Sequence, residues 1–162
     1  MSHDLTSHFL LASLLSALLG VMALPSAWAE GNPSASGHTN LTIAGGLQTY
    51  SFTAVQHKNG SVKGHLTLDS RAQEVIMQGA VTCLTINGNE AIIGGIVTHV
   101  TPNSDPFWFS VEGQPFVFRV VDNGEGANDP TDLASDLLIG DCDVGPLLQL
   151  VPIEAGNINV NP

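Results

Sequence analysis

The stretch LQTYSFTAVQHKNGSVKGHLTLD, residues 47 to 69, decides the fold. Apolar and polar residues alternate on both sides of Lys58-Asn59-Gly60, and this pattern predicts a β-hairpin. A two-residue Asn-Gly turn would set the apolar side of one strand against the polar side of the other. A three-residue loop instead pairs Phe52 with Leu66, so we predict that loop, with Gly60 as its left-handed residue.

This register sorts the hairpin into two faces. The residues predicted to share the apolar face are Tyr50, Phe52, Ala54, Val62, Gly64, Leu66 and Leu68. His57 and His65 then point outward into solvent, where a surface role is the simplest interpretation. His99, on a later run, shares the strand periodicity of Ile93 and Val97 and is expected to border the core or the end of the sheet.

The rest of the chain repeats the pattern of short strand-like runs and turn formers. The further runs are Gln73 to Ile86, Glu90 to Val100, Pro115 to Asp122, Leu133 to Ile139 and Asn157 to Val160. No run beyond residue 30 predicts a helix of three turns, and Gly, Asn and Pro make up 35 of the last 133 residues. We predict an all-β fold: an antiparallel meander of about seven to eight strands closed as a small barrel, with a β-sandwich as the alternative.

The N-terminal 29 residues have the features of an export signal. Phe9 to Leu24 is a 16-residue apolar run, too short for a comfortable membrane span, and Ala27-Trp28-Ala29 offers small residues before a cleavage point. We predict a signal peptide at 1–29, with a retained N-terminal anchor as the alternative, and no membrane span after cleavage. The polar segment 30–40 is expected to be a flexible leader to a single β-domain at 41–162.

The net charge of the chain excludes some classes of binding partner. Four Lys and Arg residues stand against 15 Asp and Glu residues, for a formal net charge of −11. Such a chain has no basic stripe to neutralise phosphates, so nucleic-acid binding is excluded and anionic membrane surfaces are poor partners. Its ligand or partner stays unidentified at the level of sequence.

Two cysteines, Cys83 and Cys142, lie in the part predicted to be exported. Oxidising compartments favour disulfides, so we predict that these two residues pair. Two buried free thiols are the alternative.

An aromatic cluster occupies residues 105 to 118, DPFWFSVEGQPFVF, with five of the seven aromatic residues that follow the signal. Phe107, Trp108 and Phe109 lie in the longest connection, where planar side chains could contact a sugar or another apolar ligand. The alternative is that this connection folds back as a plug in one end of a barrel. Phe116 and Phe118 alternate as core residues of the next strand.

An acidic segment occupies residues 122 to 143, DNGEGANDPTDLASDLLIGDCD, with seven acids and no base. Hard oxygen ligands on a glycine-rich loop suit Ca²⁺, although the EF-hand pattern is not met. The candidate calcium ligands are Asp122, Glu125, Asn128, Asp129 and Asp132. The alternative is a solvated acidic turn. No other cofactor is indicated.

Catalytic signatures are scarce. The chain contains no GxSxG elbow, no HExxH motif and no paired-cysteine zinc site, and no catalytic residue is assigned. Paired carboxylates could still hydrolyse glycosides on a β-scaffold, but sequence spacing does not bring two acids together. Whether the chain is an enzyme stays open, and the balance favours a protein that is not one.

Three segments carry a resemblance to a known family. They are CLTINGNEAIIGG at 83–95, FRVVDNGEGANDP at 118–130 and LLQLVPIEAGNINV at 147–160. In order and spacing they are similar to segments of a family of uncharacterised secreted bacterial β-domain proteins, over the range from Ala44 to the C-terminus. The resemblance implies a bacterial, exported, stand-alone β-domain and implies no activity.

The sequence thus leads to one main functional hypothesis and two others. The main one is a non-catalytic exported β-domain that serves as a binding or cell-envelope module, with stabilisation by Ca²⁺ as an added option. A small carboxylate-dependent secreted hydrolase and a purely structural envelope protein are the alternatives. A concave site with converging acids of perturbed pKa would favour the hydrolase.

Overall fold

The described part of the chain is built from ten β-strands. The computed structural model describes residues 31 to 43, 45 to 101 and 110 to 162. The strands are β1 (Ser34–Ile43), β2 (Gly46–Gln56), β3 (Val62–Ser70), β4 (Val75–Asn87), β5 (Glu90–Val100), β6 (Pro115–Val121), β7 (Leu133–Ser135), β8 (Leu138–Ile139), β9 (Leu150–Pro152) and β10 (Ala155–Asn161). A short 3₁₀ helix, Cys142–Leu147, precedes β9.

All of these strands belong to one antiparallel sheet. Its order is β10-β1-β2-β3-β4-β5-β6-β7-β9, and β8 also pairs with β6. The prediction of an all-β, largely meandering fold is confirmed. The sheet forms an open half-barrel, in which the edge strands β10 and β9 do not pair with each other, and the described residues contain no second sheet.

The first hairpin has the predicted register. Phe52 pairs with Leu66, and the N–H of His57 donates to the carbonyl of Ser61 at 2.8 Å, which leaves Lys58-Asn59-Gly60 as the loop. Gly60 has φ +81°, a left-handed conformation that favours glycine. The apolar face predicted for this hairpin therefore faces the core.

The predicted flexible leader is wrong over most of its length. Ser34–Ile43 forms β1, which pairs with β2 on one side and β10 on the other. Three of its inward residues, Ala35, Gly37 and Thr39, are small, and Phe52 occupies the space above Gly37, where an added Cβ would lie 2.8 Å from the ring. Small residues lower the hydrophobicity of the segment without preventing burial, and Ala35 and Thr39 are completely buried.

Thr39 supplies a test of this packing. Its Oγ1 is buried without a hydrogen-bond partner among the described residues. Because an unsatisfied buried hydroxyl is costly, we expect Thr39→Val, which keeps the shape, to raise the free energy of unfolding by about 1 to 2 kcal/mol. Urea denaturation would measure the change. Thr85→Val, at an exposed position of β4, is the control and should change stability by less than about 0.5 kcal/mol.

The second hairpin, β4–β5, turns through Gly88-Asn89, because Asn87 pairs with Glu90. Register shifts between Gln78 and Gly79 and between Val81 and Cys83 interrupt its ladder. A bulge changes which residues face the core beyond it. His99 is consequently exposed near the end of β5, as one of the two expectations had it, and not at the border of the core; it lies 3.3 Å from a carboxylate oxygen of Glu112.

The two adjacent apolar residues of β5, Ile92 and Ile93, are both buried, on opposite faces. Ile93 belongs to the main core, whereas Ile92 packs with Val117 and Leu148 in a second cluster. The second cluster forms because the chain around the 3₁₀ helix crosses the outer face of β5 and β6. At Gly145, an added Cβ would collide with the Ile92 side chain. A covered outer face explains why alternation fails in this strand.

Two further links fix this crossing segment. A disulfide joins Cys83 of β4 to Cys142, with their Cα atoms 6.7 Å apart, as the sequence predicted. Arg119 of β6 forms a two-bond ion pair with Glu90, at 2.8 and 2.7 Å, and its remaining N–H groups reach the carbonyls of Pro146 and Leu148 at 3.4 Å. The planar guanidinium supports several such bonds at once.

Aromatic side chains fill the interior of the sheet. The Phe118 ring lies edge-on to Tyr50 and Phe52, with centroids 5.6 and 5.2 Å away, and is stacked with Phe116 at 6.4 Å. All four side chains are almost completely buried. Phe116 and Phe118 therefore hold the core positions expected for them, and the middle of the sheet contains packed side chains.

The predicted signal peptide, residues 1 to 29, lies outside the described residues. Within the described ranges, no helix is long and apolar enough to cross a membrane.

Candidate functional site

The acidic segment begins where β6 ends, and two of its carboxylates face the free edge of β10. Asp132, buried to 6 % exposure, accepts the N–H of Asn123 at 2.8 Å and the N–H of Ile158 at 2.9 Å. Asp122 accepts the N–H of Val160 at 2.9 Å. These two carboxylates attach the acidic segment to the last strand.

These hydrogen bonds satisfy backbone N–H groups on the unpaired edge of β10. An edge strand presents N–H groups that otherwise invite pairing with another chain. On β10, the amides of Ile158 and Val160 are satisfied by carboxylates instead of by a neighbouring strand. The acids of this region thus have a structural role that a simple count of charges does not reveal.

The other predicted calcium ligands are separated from this pair by their own contacts. Glu125 accepts a hydrogen bond from the Asn157 amide at 2.5 Å, and Asp129 accepts the N–H of Gly126 at 2.6 Å within the exposed turn that also contains Asn128. Across the three described ranges, no group of three or more His, Cys, Asp or Glu residues is arranged to hold a metal ion. The predicted calcium ligands therefore do not converge on a common point. The carboxylates of Asp122, Glu125, Asp129 and Asp132 accept hydrogen bonds from backbone and amide N–H groups instead.

Phe107, Trp108 and Phe109 lie outside the described residues. Their prediction as ligand contacts, and the alternative of a plug, stay predictions.

Asp136 emerges as a site residue that the sequence did not single out. The predicted strand 133 to 139 is broken into β7 and β8, because the Asp136 side chain accepts the N–H of Leu137 at 2.9 Å. A local side-chain bond of this kind competes with the strand ladder. The signal available in the sequence was an acid placed between two apolar pairs, Leu133-Ala134 and Leu137-Leu138.

An open cavity lies beside Asp136. It has a volume of about 360 Å³ and is lined by Thr42, Ile43, Asp136, Gln149 and Val151. These residues come from the end of β1, the chain after β7 and the region of β9, so the cavity lies where the two ends of the sheet order approach each other. Its lining combines one carboxyl with a hydroxyl, an amide and two aliphatic side chains.

A chain of polar groups leads from this carboxyl into the core. The Tyr50 hydroxyl donates to the Gln48 side-chain oxygen at 3.0 Å, and the Gln48 side chain hydrogen-bonds Asp136. Burial raises the pKa of the Asp136 carboxyl, and the bonds from Leu137 and Gln48 offset this only in part. Burial, followed by the charge of Asp136, raises the pKa of Tyr50 well above its ordinary range.

The raised pKa predicts how stability depends on pH. Because the folded chain holds the Asp136 proton more tightly than the unfolded chain, ionised Asp136 costs stability at neutral pH, and the cost disappears as pH falls through the raised pKa. We expect Asp136→Asn to raise the melting temperature at pH 7 and to converge with the wild type as pH falls towards the ordinary value of 3.8. Thermal melts across pH would measure this. The exposed carboxylate variant Asp141→Asn is the control, and an equal gain there would assign the effect to net charge alone.

The histidines among the described residues do not join this cavity. His65 lies 3.0 Å from the Thr53 hydroxyl on the outer face of β2 and β3, and His99 contacts Glu112. A hydroxyl beside an imidazole is one part of a nucleophilic site, but a working site also needs a concave surface and an orienting group for the base. The Thr53 and His65 pair lies on an outer face of the sheet.

Comparisons with known proteins returned no relative: no protein-family model, curated protein or solved structure matches the chain.

Proposed function

We propose that this chain is a non-catalytic exported β-domain that acts as a binding or cell-envelope module. The proposal rests on the different positions of the acidic residues. Asp122 and Asp132 hold the last strand, whereas Asp136 borders an open cavity without an acidic partner in the lining. A filled aromatic core leaves such rim cavities and the outer surface for ligand contact.

The proposal includes export to a bacterial envelope or medium. The Cys83–Cys142 disulfide supports it, since disulfides persist in oxidising compartments. The proposed membership in the family of secreted bacterial β-domain proteins rests on segments 83–95, 118–130 and 147–160. In the fold these segments correspond to the β4–β5 hairpin, the end of β6 with the start of the acidic segment, and the β9–β10 region.

We also infer that the half-barrel is completed as a small closed barrel by the chain from β9 to β10. Only Ile153 and Glu154 separate these two edge strands. The N–H of Ile153 donates to the carbonyl of Asp132 at 3.0 Å, and the N–H of Glu154 donates to the carbonyl of Asn40 at 2.7 Å, so the bend contacts both sides of the gap. Slow hydrogen exchange at Ile153 and Glu154 would support closure, and exchange as fast as in an exposed loop would oppose it.

The binding role is tested by retention on envelope material. The exported protein would be incubated with a purified bacterial cell-envelope fraction and sedimented, and the proposal expects saturable retention that heat-unfolded protein does not reproduce. A retained fraction that grows linearly without saturation would contradict specific binding and favour the purely structural alternative.

The carboxylate hydrolase is the second candidate, and Asp136 is the observation that favours it. A cavity carboxyl with a raised pKa can act as a general acid. Glycoside hydrolysis, however, needs a second carboxyl about 5 to 9 Å away. The lining residues of this cavity carry a single carboxyl group, that of Asp136. Turnover of chromogenic glycosides or esters that is lost in Asp136→Asn and kept in Asp141→Asn would establish the hydrolase and overturn the main proposal.

A further inference from the structure

We infer, on the basis of the proposed binding role, that the cavity beside Asp136 binds a primary alkylammonium group, carried by a small amine or by a lysine side chain. The cavity residues are Thr42, Ile43, Asp136, Gln149 and Val151, and together they supply one anionic, two polar and two aliphatic contacts. Each part of such a ligand has a counterpart among them.

Among the described residues, the Asp136 carboxylate has no cationic partner. The Asp136 carboxylate is half-buried, and the groups that contact it are the Leu137 N–H and the Gln48 amide, both neutral. The ion pairs found among the described residues join Arg119 to Glu90 and His99 to Glu112, so neither neutralises Asp136. A ligand cation would compensate the desolvated charge, as the raised pKa of Asp136 leads one to expect.

The composition of the lining selects the kind of cation. A metal ion such as Ca²⁺ needs six or more oxygen ligands, and one carboxylate with a hydroxyl and an amide does not provide them. A quaternary ammonium group is usually held by aromatic faces, which are not among the lining residues. A primary ammonium has three N–H donors, which match the oxygens of Asp136, Thr42 and Gln149.

The aliphatic residues account for the alkyl part. Ile43 and Val151 are half-buried and border the same cavity. An alkyl chain attached to the ammonium can cover them, and burial of this apolar surface adds affinity to the ion pair. The volume of about 360 Å³ accommodates a chain of several carbons, which a bare ammonium ion would leave unfilled.

The test is a set of titrations followed by heteronuclear NMR at constant ionic strength. The probes are hexylammonium, hexan-1-ol, hexanoate, pentyltrimethylammonium and Nα-acetyl-lysine methylamide. The inference expects hexylammonium to shift the amide signals of the lining residues and to bind at least tenfold more tightly than the alcohol, the carboxylate and the quaternary ion. Binding of the lysine derivative as tight as hexylammonium indicates a protein or peptide source, and weaker binding indicates a free amine.

Two variants complete the design. Asp136→Asn should weaken hexylammonium binding at least tenfold, whereas Asp141→Asn, which removes the same charge at an exposed position, should leave it unchanged. If Asp136→Asn does not fold, the relative affinities of the five probes for the wild type test the inference on their own. Equal binding of hexan-1-ol, preferred binding of hexanoate or the quaternary ion, or an equal loss in both variants would overturn the inference.

The test of the ammonium site can fail independently of the test of the proposed binding role. Saturable retention on envelope material together with no response to hexylammonium would overturn the ammonium site and leave the binding module standing. Hexylammonium binding without envelope retention would support the site and contradict the envelope partner.

Discussion

Replacing Cys83 and Cys142 together by alanine is expected to lower the free energy of unfolding by about 4 kcal/mol. The two cysteines are separated by 59 residues, and a cross-link over such a loop removes much of the freedom of the unfolded chain. The same change frees the 3₁₀ helix from β4. Urea denaturation followed by far-UV circular dichroism would measure the loss, and the melting temperature should fall by roughly 10 to 20 °C.

Reduction of the wild-type disulfide provides the control for side-chain volume. A thiol reductant breaks the same cross-link without shortening either residue, so the reduced wild type and the double variant should lose similar stability. A double variant within about 1 kcal/mol of the oxidised wild type would show that the cross-link contributes little.

Asp132→Asn is expected to cost about 3 kcal/mol, because the buried carboxylate accepts two backbone N–H groups through both oxygens. The amide can replace one acceptor, but its NH₂ group faces the second N–H and cannot accept from it. The amide of Ile158 or that of Asn123 is then left unsatisfied. Chemical denaturation would give the cost, and hydrogen exchange would show faster opening of β10.

Asp129→Asn is the matched control for this substitution. Asp129 lies in the same acidic segment, is exposed and accepts one local N–H, that of Gly126. Its replacement should cost less than about 1 kcal/mol and leave exchange at Ile158 unchanged. Equal losses at the two positions would mean that net charge, rather than the bonds to β10, sets the stability of the segment.

Several parts of the fold followed from local rules. The register of the first hairpin was predictable because the length of the Lys58-Asn59-Gly60 loop determines which residues share a face. The Cys83–Cys142 pair was predictable because the chain contains only two cysteines. The burial of Phe116 and Phe118 followed from simple alternation.

Other parts depended on neighbours that are distant in sequence. β1 has too few large apolar residues to be recognised as a strand, and it is ordered by pairing with β2 and with β10, which lies more than a hundred residues later. Ile92 gave an ambiguous pattern because the chain near Gly145 covers its face of the sheet. Periodicity describes one strand at a time and contains no information about what crosses it.

The acidic segment shows the same limit at the level of the site. Its composition suggested calcium ligands, but the sequence does not specify which oxygen meets which N–H. Asp132 and Asp122 bind β10, and Asp136 ends β7 and borders a cavity with residues of β1 and β9. By itself, the sequence determined strands β2 to β6, the hairpin register and the disulfide, because these depend on side-chain alternation, loop length and a single pair of thiols. Only the tertiary structure decided the roles of the carboxylates, because Asp132 and Asp122 bind amides 26 and 38 residues away, and the cavity beside Asp136 is formed with distant strands.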